Sequence, residues 1–489
     1  MLSTLARSLA GAIALALLAA AAAGAAAQER RERKAERPPP ACSHCKDKLQ
    51  TIEALRENLP RDWTLAVERD AVFGGDILTV RAGPEKAPTL LLVHGLGQNG
   101  FTDWLPVIPQ LALRYRVLAL DLPGFGYSAA PPGKYSPRNY ARVLSAVLAR
   151  HANGPAIVIG HSLGGAVALR LAADHPQQVG KLVLVNVAGI LQRTAFVKHS
   201  VVPASVESMP PILKEPAARV RDWGNAVIER VFGLPRDPTR VLRASDLAWA
   251  LLLKDRSNVN AALALIDEDF SAAVHTVKQP VHILWGEADT VAPLRTGQLL
   301  AKRLPRAQLA TLPGVGHSPM ETAPESFLAL LAFALDTEPA PAAAADGSAA
   351  GARDLVCNGQ AERQYSGRYR EVRIERCPAV RLVNLSAERI AIRASTVQMV
   401  DVQVRGAEVA LDIADSELIA TASDFAGATA IRADASRLDL AGVHLTATGH
   451  AVEAVRRSRL IASVSRIESP AYTGYWHEDR ELENAALAP

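Results

Sequence analysis

Aromatic side chains are scarce in this chain: Phe, Trp and Tyr together make up 5% of its 489 residues. Any core must therefore be built mainly from Leu, Val and Ala. Charge of one sign is lacking too. A formal net charge of +4 is small for this length and gives no reason to expect a nucleic-acid partner. Cysteine is limited to four residues, and their settings exclude several uses. Cys42 and Cys45 bound the tetrapeptide Cys-Ser-His-Cys, but Lys46 stands where a haem attachment site needs His. No further ligands stand nearby at zinc-site spacing, so no metal is expected. Pro38-Pro39-Pro40 occupies the place of the strand that precedes a redox Cys-x-x-C. The remaining expectation is two disulfides, Cys42–Cys45 and Cys357–Cys377.

What the sequence does contain begins with an address. Arg7 supplies positive charge, Leu9 to Ala23 is an apolar Ala/Leu run, and Ala25-Ala26-Ala27 precedes Gln28. This pattern predicts a signal peptide over 1–27 and a periplasmic or secreted mature protein; a retained membrane anchor is the alternative. Residues 28–50 are charged and proline-rich, as expected of a disordered tether.

From 51 to 336 apolar strand-like runs alternate with helical ones. Trp63 to Val67 and Ile77 to Val80 alternate apolar and polar residues, as antiparallel edge strands do. Thr89 to Val93, Val117 to Leu120, Ala156 to Ile159, Leu182 to Val185 and Val281 to Leu284 are continuous apolar runs, as strands covered on both faces are. Helical stretches lie between them: Pro137 to Arg150, Leu163 to Asp174, Leu294 to Leu304 and Pro324 to Leu335. The fold class is α/β, a doubly wound and mostly parallel sheet, with function expected at the strands' carboxyl ends. A helical insertion over about 190–276 interrupts the alternation and is expected to be a cap. Residues 337–353 read as a linker by their Pro, Ala and Gly content.

Beyond the linker the pattern changes to short alternating strands. Segments starting at Gly406, Gly427 and Gly449 align, and each carries Ser-x-Leu: Ser416-Glu417-Leu418, Ser436-Arg437-Leu438 and Ser458-Arg459-Leu460. A period near 20 with strand character predicts a C-terminal all-β, parallel β-solenoid-like domain over 354–470, with 471–489 as a tail. By analogy of fold alone, such a domain would contact the cell envelope or a polysaccharide.

One stretch carries chemistry. Gly160-His161-Ser162-Leu163-Gly164 follows the run Ala156 to Ile159 and opens a helix-forming run. This is the G-x-S-x-G nucleophile elbow in its strand–turn–helix context. A serine hydroxyl needs a base, and the base needs a carboxylate to set its tautomer. Both are expected later in the chain, acid before histidine. Asp289, just past the strand Val281 to Leu284, and His317, in the loop Gly314-Val315-Gly316-His317, meet that requirement. Glu287 is the rival acid, standing too close to its strand end to reach over. Two backbone N–H groups are expected to form an oxyanion hole: Leu163, after the serine, and Leu96, in His94-Gly95-Leu96-Gly97.

His94-Gly95-Leu96-Gly97, Asp121-Leu122-Pro123-Gly124-Phe125-Gly126-Tyr127-Ser128, the elbow, the Gly286–Asp289 turn and Gly316-His317 follow in this order. Together, over about 51–335, they resemble the α/β-hydrolase family. That resemblance implies a cofactor-free hydrolase with the triad Ser162, Asp289 and His317 and a covalent acyl-enzyme. The substrate would be a small-molecule carboxylic ester. C–C bond hydrolysis, lactonase, amidase or acyltransferase chemistry stays open on the same fold. Serine at the elbow separates this chain from the haloalkane dehalogenase and epoxide hydrolase branches, which carry Asp there. A non-catalytic envelope-binding scaffold is the competing expectation of another class.

Overall fold

The computed structural model describes residues 52–97, 99–192, 256–339 and 353–487, with Ala195, Trp249 and Leu253. The chain divides into two compact units, Met1–Arg61 and Asp62–Pro489. In the first, residues 52–57 are helical. The signal peptide, the tether, Cys42 and Cys45, and most of the expected cap and linker lie outside the described residues.

The second unit opens with an eight-stranded sheet: β1 (Thr64–Arg69), β2 (Asp76–Ala82), β3 (Thr89–Val93), β4 (Arg116–Leu120), β5 (Ala156–His161), β6 (Val179–Val185), β7 (Val281–Gly286) and β8 (Ala307–Leu312). Its order is β1-β2-β4-β3-β5-β6-β7-β8. β1 and β2 pair antiparallel, β2 runs antiparallel to β4, and the other neighbours are parallel. The fully apolar runs are the central strands: β3 is buried along its whole length, and so is β7. Each parallel connection carries helix, including Pro137–His151, Leu163–Asp174 and Leu294–Arg303, and the helix Pro324–Asp336 follows β8. Ser136 caps the first of these through its hydroxyl, which accepts from Asn139 N–H at 3.2 Å. From the cap region, helices Ser257–Ile266 and Ser271–Thr276 are described.

Strands from Leu355 to Ala486 form a second, 16-stranded sheet. Its ladders are mostly parallel and join strands about 20 residues apart. Leu418 pairs with Leu438 and Leu438 with Leu460, so the repeated Ser-x-Leu marks one stacked position. The serines form their own column: Ser395 N–H donates to Ser416 Oγ (3.0 Å), Ser416 N–H to Ser436 Oγ (3.2 Å) and Ser436 N–H to Ser458 Oγ (3.1 Å). Inside, Val397, Met399, Leu418, Ala420, Leu438, Leu440 and Leu460 are buried as one core. A disulfide joins Cys357 and Cys377. The expected tail at 471–489 is corrected. Thr473–Trp476, Asp479–Leu482 and Ala485–Ala486 are strands that pair antiparallel with the strands Ser465–Glu468, Ser458–Ser463 and His444–Ala454 respectively. They satisfy the N–H and C=O groups that an open end of stacked strands would leave bare.

The two sheets are docked. Ala441, Ile461 and Val464 of the β region belong to the same buried core as Leu299, Leu300 and Trp285 of the α/β region.

Candidate active site

β5 delivers Ser162 at its carboxyl end, and the helix Leu163–Asp174 leaves from it. Ser162 has φ 53° and ψ −117°, a conformation L-residues avoid. Such a turn closes only because its flanks are bare. A Cβ on Gly160 would stand 2.3 Å from Gly164 O, and one on Gly164 would stand 2.3 Å from Val93 O. The turn therefore packs against the end of β3, where the His94–Gly97 loop begins.

Three side chains that are far apart in sequence meet there. Ser162 Oγ lies 3.0 Å from His317 Nε2, and His317 Nδ1 lies 2.8 Å from Asp289 Oδ2. With Nδ1–H directed at the carboxylate, Nε2 is the acceptor facing the hydroxyl. Asp289 follows β7 and His317 follows β8, and the two loops are sewn together. Glu287 N–H donates to Leu312 O (3.0 Å) and Ala288 N–H to Val315 O (2.9 Å). Burial alone would raise the Asp289 carboxyl. Hydrogen bonds from His317, Asn186 and Ala292 N–H outweigh it and hold the group below its ordinary range. Glu287 points elsewhere, accepting from Thr311 Oγ1 at 2.7 Å.

The His94–Gly97 loop is pinned from within. His94 is fully buried; its Nε2 accepts from Leu122 N–H (2.9 Å), so its Nδ1–H donates to Gly95 O (2.8 Å). The trans peptide then turns Leu96 N–H to the opposite side from His94. A Cβ on Gly95 would meet Ser162 Cβ at 3.1 Å, which puts this loop directly against the serine. Leu163 is buried as the first residue of its helix. Gly97 is not held by crowding, since a Cβ there would meet nothing nearer than Asp103 Oδ2 at 3.9 Å. The Asp121–Ser128 segment braces these loops: the Asp121 carboxylate accepts from Phe101 N–H (2.6 Å) and Tyr127 N–H (2.8 Å).

Two residues with a part in the site escaped sequence reasoning. Asn186, buried at the end of β6 with φ 45°, donates from Nδ2 to Asp289 Oδ2 at 2.5 Å. His161 donates from Nε2 to His317 O at 2.8 Å. Burial, reinforced by the neighbouring His317, pushes His161 down to about 3, so its ring is neutral. The position of His161 beside the serine was visible in the motif; its partner was not. Among the described residues, no group of three or more His, Cys, Asp or Glu is arranged to hold a metal ion.

Residues 90–330 match the family model described as the alpha/beta hydrolase family. An uncharacterised protein of Mycobacterium bovis is 32% identical over 269 residues, covering 52% of this chain and 77% of that protein. The chain belongs to the α/β hydrolase family. It is a hydrolase, and its C-terminal β region lies beyond the matched segment. The pimeloyl-[acyl-carrier protein] methyl ester esterase of Chromobacterium violaceum is 30% identical to this hydrolase over 255 residues, covering 52% of this chain and 96% of that enzyme. Among solved structures, a hydrolase from Pseudomonas aeruginosa PA01 is similar, with 25% identity and a TM-score of 0.42. It covers 56% of this chain and 99% of that chain.

Proposed function

We propose that this hydrolase cleaves a carboxylic ester through Ser162, His317 and Asp289. The observation that carries the reading is the unbroken chain Ser162 Oγ–His317 Nε2 (3.0 Å) and His317 Nδ1–Asp289 Oδ2 (2.8 Å). Ser162 Oγ attacks the ester carbonyl while His317 Nε2 takes its proton. Leu96 and Leu163 N–H groups stabilise the oxyanion that forms. The tetrahedral intermediate collapses as His317 returns the proton to the leaving alcohol. Water, activated by the same imidazole, then releases the acid and restores Ser162. Asp289 stays ionised and stabilises the imidazolium in both halves. The esterase of Chromobacterium violaceum supports an ester over other acyl groups. The Ala/Leu run before Gln28 supports export, and the in-register parallel ladders support a solenoid in the C-terminal region.

Labelling with a fluorophosphonate tests the reading. The wild type is expected to be labelled, and both Ser162→Ala and His317→Ala are expected to lose the label. Undiminished labelling in Ser162→Ala, or a folded wild type that resists even a small organophosphate, would sink it.

A further inference from the structure

The β region is built against the segment that follows Asp289. The Asp289 carboxylate is held from below by its own turn: Oδ1 accepts from Val291 N–H (2.7 Å) and Ala292 N–H (2.9 Å). Trp285 Nε1 donates to Ala292 O (3.0 Å), and Pro293 leads into the helix Leu294–Arg303. On the first turn of that helix Arg295 reaches out of the α/β region. Its guanidinium forks onto Asp439, at 2.9 Å to Oδ2 and 3.0 Å to Oδ1, and its Nε donates to Thr421 Oγ1 at 3.2 Å.

This is a desolvated pair, with side chains 10% and 2% exposed. Its β-region half cannot drift, because Thr421 and Asp439 sit on adjacent strands locked in parallel register. The same helix seats Leu299 on Gly442, where a Cβ would stand 2.7 Å from Leu299 Cγ. Arg303 closes its far end on Gly442 O and Asp424, each at 2.7 Å. The other segment that holds Asp289 is tied to the same region. In the loop that leaves β6 past Asn186, Gln192 N–H donates to Ser463 Oγ at 2.8 Å.

We propose that Asp439 is a positioning residue for Asp289: gripping Arg295, it fixes the start of the helix Leu294–Arg303 and so the turn whose N–H groups hold the carboxylate. On this view the β region is part of the catalytic frame, not only an appendage. The proposal rests on the reading of Ser162, His317 and Asp289 as the triad. A bidentate Arg–carboxylate pair fixes direction as well as distance. A misplacement of about 1 Å at such a site costs on the order of 100-fold in rate.

The test uses the full chain with Asp439→Asn, measuring ester hydrolysis per fluorophosphonate-labelled serine so that unfolded molecules are not counted. The expected result is a fall in kcat of about 10-fold with little change in KM. Thr421→Val should lower kcat by less, again with KM little changed. Lys302→Ala, which breaks the Lys302–Asp401 pair (2.7 Å) at the other end of the helix, should change neither kcat nor KM. A lower Tm with unaltered kcat per labelled serine would overturn the proposal. If Asp439→Asn does not fold, an unaltered Thr421→Val overturns it instead. Failure of the triad reading shows separately, as activity that survives Asp289→Asn.

Discussion

Left-handed backbone appears in both regions of this molecule, and it is used in opposite ways. Among the described residues of the α/β region, the non-glycine residues with positive φ are Ser162 (53°) and Asn186 (45°), and both touch the site. In the β region they recur as columns: Arg376 (55°), Ala394 (47°), Asp415 (48°) and Ala435 (46°) on one corner, and Asp401 (52°), Ala422 (54°) and Val464 (49°) on another, with Gly442 (59°) between the last two. At four of these corners the N–H bonds to a carbonyl of a following strand. Arg376 donates to Arg393 O (3.0 Å), Ala394 to Ala414 O (3.1 Å), Asp415 to Asp434 O (2.9 Å) and Ala422 to Ala441 O (2.8 Å). A non-glycine residue in this conformation costs about 1–2 kcal/mol. Where the strain repeats, it turns a corner and a ladder bond offsets it. Where it is isolated, it aims a side chain.

Removing the strain at one position of each kind breaks the comparison most sharply. Ser162→Gly should lose kcat on the order of a million-fold while leaving stability unchanged or higher by about 1 kcal/mol. Ala435→Gly should give a stability change of the same sign with kcat unaltered. Urea midpoints and ester turnover on the two variants check this. A Ser162→Gly protein markedly less stable than Ala435→Gly would mean that the elbow is not strained.

The same contrast explains what could be read before the structure. The elbow was legible because its chemistry, its glycines and its flanking strand and helix are local. The Ser-x-Leu repeat was legible because strands paired parallel and in register repeat the same position, and Leu418, Leu438 and Leu460 do stand in one column. Asn186 was not legible. It lies 103 residues from Asp289, and only the adjacency of β6 and β7 brings the two together. Arg295 and Asp439 were equally silent, since each alone is an ordinary surface-type residue, and their burial exists only once both regions are docked. The strands at 473–486 were missed for a related reason. They pair antiparallel with earlier strands and carry no repeat of their own.

Acid should separate the two regions by a smaller margin. In the α/β region burial pushes His94 down to about 4, and burial with His317 nearby pushes His161 to about 3; burial also lowers His275 and His282. In the β region the lowered histidines are His444, pushed to about 3, and His477. Both lie where the regions meet, His444 Nε2 at 3.2 Å from His275 Nε2 and His477 Nδ1 at 3.5 Å from Asp269. The stacked interior holds no such group in its core cluster. A base whose folded pKa is depressed gives full stability above its unfolded value, about 6.5. Below it the unfolded chain takes up protons first, and stability falls until the folded pKa is reached. At pH 5 the depression at His94, His161 and His444 is worth of order 1–2 kcal/mol each. Hydrogen exchange, corrected for intrinsic rate, should therefore show protection falling between pH 7 and pH 5 in the helix Leu163–Asp174 and at the docking face. The ladder around Leu418 and Leu438 should keep its protection. Equal loss in both would show that the regions unfold as one.

The smallest effect expected is in the serine column. Ser436 Oγ accepts from Ser416 N–H (3.2 Å) and donates to Asp434 O (2.7 Å), while its own N–H donates to Ser458 Oγ (3.1 Å). Ser436→Ala leaves the buried Ser416 N–H without its acceptor, at a cost of about 1–2 kcal/mol. Ser162→Ala removes a hydroxyl of similar burial, yet the serine's own N–H still bonds Val185 O (3.0 Å), so no backbone group is orphaned. Its stability cost should be smaller although its catalytic cost is total. Ester turnover in Ser436→Ala should match the wild type, and its urea midpoint should fall below that of Ser162→Ala. The reverse order would mean that the column's hydroxyls are replaceable by water, and that register in the β region is held by its apolar core alone.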